Sequence, residues 1–66
     1  MSIAKVIEVL AEGETLEEAA HNAVTEAGKT VNNIKHIYLR DPQGIVENEK
    51  IVKFRVNAKI TFVVEN

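Results

Sequence analysis

The chain has 66 residues, a formal net charge of −2, two histidines and no cysteine. A chain this short buries only about 60% of the surface that its unfolded state exposes, so a disulfide, a structural metal or oligomerisation usually supplements its core. Without cysteine, disulfides and thiolate zinc sites are excluded, and two histidines do not complete a structural zinc site. Oligomerisation is the means of stabilisation that remains.

Charge and hydropathy exclude further classes of function. The weak net charge and scattered Lys and Arg residues do not indicate nucleic acid binding. No apolar run approaches the ~20 residues of a membrane helix. The N-terminus lacks the charged and apolar regions of a signal peptide, so we expect a cytoplasmic protein.

The first predicted element is a strand. Branched apolar side chains run from Ile3 to Leu10, and Gly13 follows shortly after them. Lys5 and Glu8 fall on opposite faces of this strand. Mixed faces of this kind are typical of a strand whose second face lies at a subunit interface.

A capping box then predicts the start of a helix. The Thr15 hydroxyl can accept the N–H of Glu18, and the Glu18 carboxylate can reach back to the N–H of Thr15. Residues at helical spacing predict a buried, alanine-rich stripe that packs closely on a sheet: Leu16, Ala19, Ala20, Ala23, Val24, Ala27 and Val31. Gly28 is one candidate for the helix end, and a further turn up to Asn32 is the other.

Two more strands complete the predicted order β-α-β-β. Residues 34–40 predict the second strand, which is followed by a turn at 41–44, by Ile45-Val46 resuming the strand, and by a hairpin turn at Asn48-Glu49. In the last strand apolar residues alternate with polar ones: Val52, Phe54, Val56, Ala58, Ile60, Phe62 and Val64. The expected fold is an α+β protomer whose three-stranded antiparallel sheet wraps on one helix.

The residues supply no catalytic constellation, so we predict that the chain is not an enzyme. There is no cysteine nucleophile and no Gly-rich phosphate loop, and the single serine, Ser2, lies at the terminus. The acidic pairs have structural explanations, because Glu17 and Glu18 belong to the helix start and Glu47 and Glu49 to a solvated turn.

Three groups of residues remain as candidate sites. Glu17 and His21, one helical turn apart, form an exposed ion pair or share a metal ion, and the ion pair is favoured. His36 either packs at an interface or stacks on a planar ligand. Lys53, Arg55 and Lys59 form a positive row on one face, where successive positions are ~7 Å apart; the row is solvated, salt-bridged or, if subunits enclose it, an anion site.

Segments along nearly the whole length are similar to the dodecin family. They are the first strand (Lys5-Val6-Ile7-Glu8-Val9), the helix start (residues 15–24), the helix-to-strand passage (residues 29–35) and the closing hairpin (residues 46–52 and 54–62). The resemblance implies a β-α-β-β protomer that assembles into a hollow homododecamer. It also implies storage of paired flavins, each stacked between a tryptophan and its partner flavin, with a glutamine bonding the polar edge of the ring.

This sequence departs from the family pattern at both of those ligand positions. His36 stands where flavin-binding members carry the tryptophan, and Arg55 stands where they carry the glutamine. Imidazole offers less stacking area than indole, which weakens the flavin sandwich by at least ~0.5–1.5 kcal/mol. Asp41-Pro42-Gln43-Gly44 is also unusual, because a proline breaks or bulges a strand.

Two functions therefore stay open. In the first, the chain binds riboflavin, FMN or FAD, with His36 stacking on the ring, Arg55 bonding a ring carbonyl or a phosphate, and Gln43 adding a polar contact. In the second, the dodecin-type shell has lost flavin and holds another anionic ligand, such as coenzyme A or a nucleotide, at Arg55, Lys53 and Lys59, or holds ions, or serves only as an assembly. No acidic loop of the density that calcium requires is present.

Overall fold

The computed structural model describes residues 2–65. Its elements follow the predicted order: β1 (Ser2–Gly13), α1 (Leu16–Ala27), β2 (Ile34–Glu47) and β3 (Lys50–Glu65). The strands form one antiparallel sheet in the order β1-β3-β2, so β3 is central. The predicted α+β class and topology are confirmed. Within residues 2–65, no helix has the length and apolarity needed to cross a membrane.

The core lies between α1 and the middle of β3. Val56, Ala58 and Ile60 are completely buried, because the period-two alternation of β3 directs them all toward the helix. Burying a side chain the size of isoleucine stabilises the fold by roughly 1.5–3 kcal/mol. On the helix the most buried residues are small ones: Ala19, Ala23 and Ala27. Small side chains on this stripe let α1 lie close to the sheet, as predicted.

The helix starts at the predicted place, with Thr15 as the N-cap, but only half of the predicted capping box forms. The N–H of Glu18 donates to the Thr15 hydroxyl at 2.9 Å, as the capping box requires. The Glu18 carboxylate, however, accepts from the N–H of Glu14 at 3.0 Å and not from that of Thr15. At the other end the helix stops at Ala27, and residues 28–30 form a turn instead of continuing the α-helix.

The predicted turn at residues 41–44 is wrong, because β2 continues through it. The pairing with β3 shifts register between Arg40 and Gln43, and Asp41 takes a left-handed φ of 51°. Pro42 is tolerated at this irregularity since a bulge leaves one residue outside the hydrogen-bond ladder. β1 and β3 are also longer than predicted, and β1 reaches Gly13.

The hairpin turn at Asn48-Glu49 is confirmed. Both residues have positive φ values, 51° and 65°, as in the type I′ turns that suit a twisted hairpin. Since β1 ends opposite Phe54, residues 45–53 project as a two-stranded arm, beside which no other part of residues 2–65 forms a strand. Val46 and Ile51, paired on this arm, are each 59% exposed.

Candidate functional site on the open face of the sheet

The candidate site lies on the sheet face that points away from α1. Because Val56, Ala58 and Ile60 face the helix, the alternate residues of β3 face outward, and residues directly opposite them in an antiparallel pair share that side. We call this side the open face. The pairing of the three strands arranges it in four rows: Val6–Thr61–His36, Glu8–Lys59–Tyr38, Leu10–Asn57–Arg40 and Glu12–Arg55–Gln43.

His36 occupies the first row. The register shifts between Ile34 and His36, so the bulge brings His36 opposite Thr61 and onto the open face. His36 is exposed, and Tyr38 in the next row is 60% exposed. This end of the open face therefore presents two aromatic rings to solvent on adjacent rows.

Arg55 occupies the fourth row and is held by Glu12. The Arg55 Nε donates to Glu12 Oε2 at 2.7 Å, and Nη2 approaches the same oxygen at 2.6 Å. The other carboxylate oxygen, Oε1, accepts from Lys53 Nζ at 3.0 Å. Two members of the predicted positive row thus share one carboxylate, which bears out the salt-bridged interpretation for Lys53 and Arg55.

The same contacts shift the titration of Glu12. Hydrogen bonds from Lys53 and then from Arg55 lower the pKa of the Glu12 carboxyl below its ordinary value of 4.5, against a smaller opposing effect of desolvation. The carboxylate is therefore ionised throughout the neutral range.

Gln43 reaches the open face because of the irregularity at Asp41-Pro42. Before the irregularity, Arg40 pairs with Asn57; after it, Gln43 pairs with Arg55. Three residues of β2 thus span two of β3. With an unshifted register, Pro42 would lie opposite Arg55 and Gln43 would face the helix side. The bulge sets an exposed carboxamide beside the Arg55 guanidinium.

The structure brings two of the three predicted site residues together. Gln43 and Arg55 are cross-strand neighbours, whereas His36 lies opposite Thr61, six residues along β3 from Arg55. Six residues of strand span about 20 Å. Within one chain, His36 therefore shares a face with the other two but not a contact.

Two further residues of the open face were missed by the sequence analysis. Glu12 falls beyond the predicted end of the first strand at Leu10, so its pairing with Arg55 was not foreseen. Asn57 lies between Leu10 and Arg40, and its Oδ1 is buried without a hydrogen-bond donor from the described residues. Asparagine is depleted in strands, so an asparagine in the middle of β3 was the signal by which Asn57 could have been identified.

Two clefts of the described residues lie away from this face. One, of about 310 Å³, is lined by residues 30–33 and 62–64. The other, of about 130 Å³, lies between α1 and β2 and includes Glu17, His21 and Ile37. Neither is lined by His36, Gln43 or Arg55. Seen in one protomer, the open face is a surface, and a second chain would be needed to enclose it.

The expected Glu17–His21 ion pair is not formed in the described part of the chain; instead Lys29, in the turn after α1, pairs with Glu26 of the helix at 2.9 Å. Among residues 2–65, no cluster of three or more His, Asp or Glu side chains has a geometry for binding a metal ion. Both Glu17 and His21 are exposed, at the rim of the cleft between α1 and β2.

Comparison with protein-family models matches residues 3–65 to the family described as Dodecin. Among curated proteins, none matches the chain. Among solved structures, the fold is similar to that of a mutant dodecin from Thermus thermophilus, with a TM-score of 0.90, 21% identity and full coverage of both chains.

Two Streptomyces structures are similar as well. The dodecin of Streptomyces coelicolor has a TM-score of 0.89 and 24% identity, over 98% of this chain and 94% of that one. The dodecin of Streptomyces davaonensis has a TM-score of 0.89 and 17% identity, over 98% and 97%. At these identities the structural likeness establishes the fold alone.

Proposed function

The chain belongs to the dodecin family, and we propose that it binds and stores a small ligand, a flavin, as a homododecamer and without chemical turnover. The observation that carries this proposal is the exposed His36 ring on the open face, one row from the exposed ring of Tyr38. By the family resemblance, His36 stands where flavin-binding members stack a tryptophan on the ring.

The donors and acceptors of the open face fit the ring of a flavin. His36 offers an aromatic plane, and a stacked aromatic pair contributes roughly 0.5–1.5 kcal/mol. The Gln43 carboxamide both donates and accepts, which suits the alternating carbonyl and N–H groups at the polar edge of the ring. Arg55 keeps further N–H donors, because Glu12 takes only Nε and Nη2. A bound flavin would supply light absorption and redox capacity, while these residues hold and orient it.

Assembly is part of the proposal because of the distance between the contributing residues. His36 and Arg55 are about 20 Å apart along the sheet, which exceeds the length of the three fused rings of a flavin. One ring that touches both kinds of residue must lie between two chains. The exposed Val46 and Ile51 of the two-stranded arm support the same conclusion, since paired apolar side chains gain by burial against another subunit.

Binding of coenzyme A or a nucleotide at the positive row is the weaker alternative. Such a ligand would place its phosphates at Arg55, Lys53 and Lys59, and the first two are already bonded to Glu12. A phosphate would have to displace a carboxylate that is already ionised. The flavin ring, which carries no formal charge, does not face this competition.

Fluorescence titration tests the proposal. Purified, assembled protein is added to riboflavin, FMN and FAD, and quenching of flavin emission is followed to saturation. We expect saturable quenching that His36→Ala weakens several-fold and His21→Ala, the matched change at the exposed helical histidine, leaves unchanged. If none of the three flavins is quenched by the assembled protein, the proposal is wrong.

A further inference from the structure

The side chain that bonds both Lys53 and Arg55 on the open face has no role in the proposed flavin contacts. Glu12 on β1 places one carboxylate oxygen against Nε and Nη2 of Arg55, at 2.7 and 2.6 Å, and the other against Lys53, at 3.0 Å. The three side chains come from two strands and are partly buried, with between 36% and 42% of each side chain exposed. Lys53 and Arg55 thus form an anion site that is occupied by a carboxylate of the same chain.

We propose that Glu12 is a specificity-determining residue, whose carboxylate occupies the Nε–Nη2 edge of Arg55 and so selects ligands without a phosphate over the same ligands with one. The inference rests on the proposed function for the identity of the ligand, but the geometry behind it does not. An Arg guanidinium binds carboxylate and phosphate through the same planar fork of N–H groups. Glu12 is tethered to the sheet, whereas a phosphate must come from solution.

Two features favour the internal carboxylate in this competition. Glu12 lies directly opposite Arg55 in the pairing of β1 with β3, so the contact requires no rearrangement of the backbone. Its carboxylate also satisfies Lys53, and a phosphate that displaced it from Arg55 would leave a negative charge facing the incoming anion. The hydrogen bonds that lower the Glu12 pKa keep it ionised at neutral pH. Consequently riboflavin is favoured over FMN and FAD.

Replacing the carboxylate by a carboxamide of the same shape tests this inference. In Glu12→Gln, we expect FMN affinity to rise relative to riboflavin affinity by roughly tenfold, since one charge-assisted contact becomes available to the phosphate. Glu8→Gln is the matched control. Glu8 lies on the same strand and the same face, opposite Lys59. Its substitution removes the same charge without affecting a contact of Arg55.

A second experiment uses inorganic phosphate alone and does not depend on flavin. Titration of the assembled protein is followed through the NMR signal of the Arg55 Nε–H. Phosphate should shift this signal saturably in Glu12→Gln, and at several-fold higher concentration in the wild type and in Glu8→Gln.

The outcomes separate the two proposals. If flavins bind but the FMN-to-riboflavin ratio is the same in the wild type and Glu12→Gln, the inference about Glu12 is overturned and the flavin function stands. If no flavin binds, the proposed function fails, and the phosphate titration decides whether the inference about Glu12 holds. A phosphate-induced shift at several-fold lower concentration in Glu12→Gln than in the wild type and Glu8→Gln then supports the inference. Equal concentrations in the three proteins, or no shift in Glu12→Gln, overturn it.

Discussion

Gly13 lies so close to Ala19 that a Cβ atom on the glycine would be 2.6 Å from the Ala19 backbone nitrogen. It would also be 2.9 Å from the carbonyl carbon of Glu18. The last residue of β1 thus packs directly against the first turn of α1, backbone to backbone. This contact sets how closely the alanine stripe of α1 approaches the sheet.

Gly13→Ala is therefore expected to destabilise the protein strongly. Backbone atoms cannot yield as a flexible side chain does, so overpacking here should cost about 1–3 kcal/mol or more. Gly44→Ala is the control, because its Cβ would meet only the Ile51 side chain, at an ordinary 3.5 Å. Urea unfolding of both variants measures the difference. Equal midpoints for the two variants would contradict the close-contact explanation.

Local patterns predict most of this fold. The alternation in β3 and the alanine stripe in α1 identify the two surfaces that form the core. In each case the spacing of the apolar residues, every second residue in the strand and every third or fourth in the helix, shows which side chains are buried. The sequence also indicates the Asn48-Glu49 turn. The error at residues 41–44 has a physical cause: an Asp-Pro pair followed by glycine is typical of a turn, but here the pairing of β2 with β3 outweighs that local preference.

The candidate site was predicted less completely. His36, Gln43 and Arg55 were all identified from the sequence, but not their arrangement, because the register of β2 shifts at three places and no local pattern fixes the resulting alignment with β3. Glu12 was missed because β1 was predicted to end at Leu10, and its role depends on a partner 43 residues away. Contacts of this kind are set by strand pairing and not by neighbouring residues.

Glu49→Gly is expected to stabilise the hairpin. Glu49 adopts φ 65°, a left-handed conformation that costs a residue with a Cβ roughly 1–2 kcal/mol but costs glycine little. Part of this gain is offset by the greater freedom of glycine in the unfolded chain, so an increase of up to about 1 kcal/mol is expected. Thermal unfolding should show a higher Tm. Glu47→Gly, inside β2, should lower it, and a loss in both variants would argue against strain at the turn.

His36→Trp is expected to strengthen flavin binding. Indole offers a larger stacking plane than imidazole on the same exposed position, which should tighten binding by about 0.5–1.5 kcal/mol, or roughly two- to tenfold. Riboflavin fluorescence titration of the assembled variant measures the change. His21→Trp makes the same substitution at the exposed histidine of α1 and should not change flavin affinity. Equal tightening by both variants would point to non-specific stacking.

Val46→Asp is expected to disrupt the assembly. Val46 pairs with Ile51 on the two-stranded arm, and such a ribbon is marginally stable without further packing. A carboxylate buried there against a second chain would lack a partner. Light scattering should show a large oligomer for the wild type and for Val46→Ile, and smaller species for Val46→Asp. An oligomer unaffected by the aspartate would exclude this arm from the interface.

The ion pairs of Glu12 should make stability depend on pH in the acid range. Lys53 and Arg55 lower the folded-state pKa of Glu12 below the 4.5 of the unfolded chain, so the stabilisation is complete above pH 4.5 and is lost as pH falls through the folded-state pKa. Urea midpoints of the wild type and Glu12→Gln should therefore differ by a constant amount from pH 7 to about pH 5 and converge below pH 4.5. Glu8→Gln corrects for the general effect of removing one negative charge from the open face. A difference that persisted unchanged to pH 3 would show that Glu12 stabilises the sheet by packing rather than through its charge.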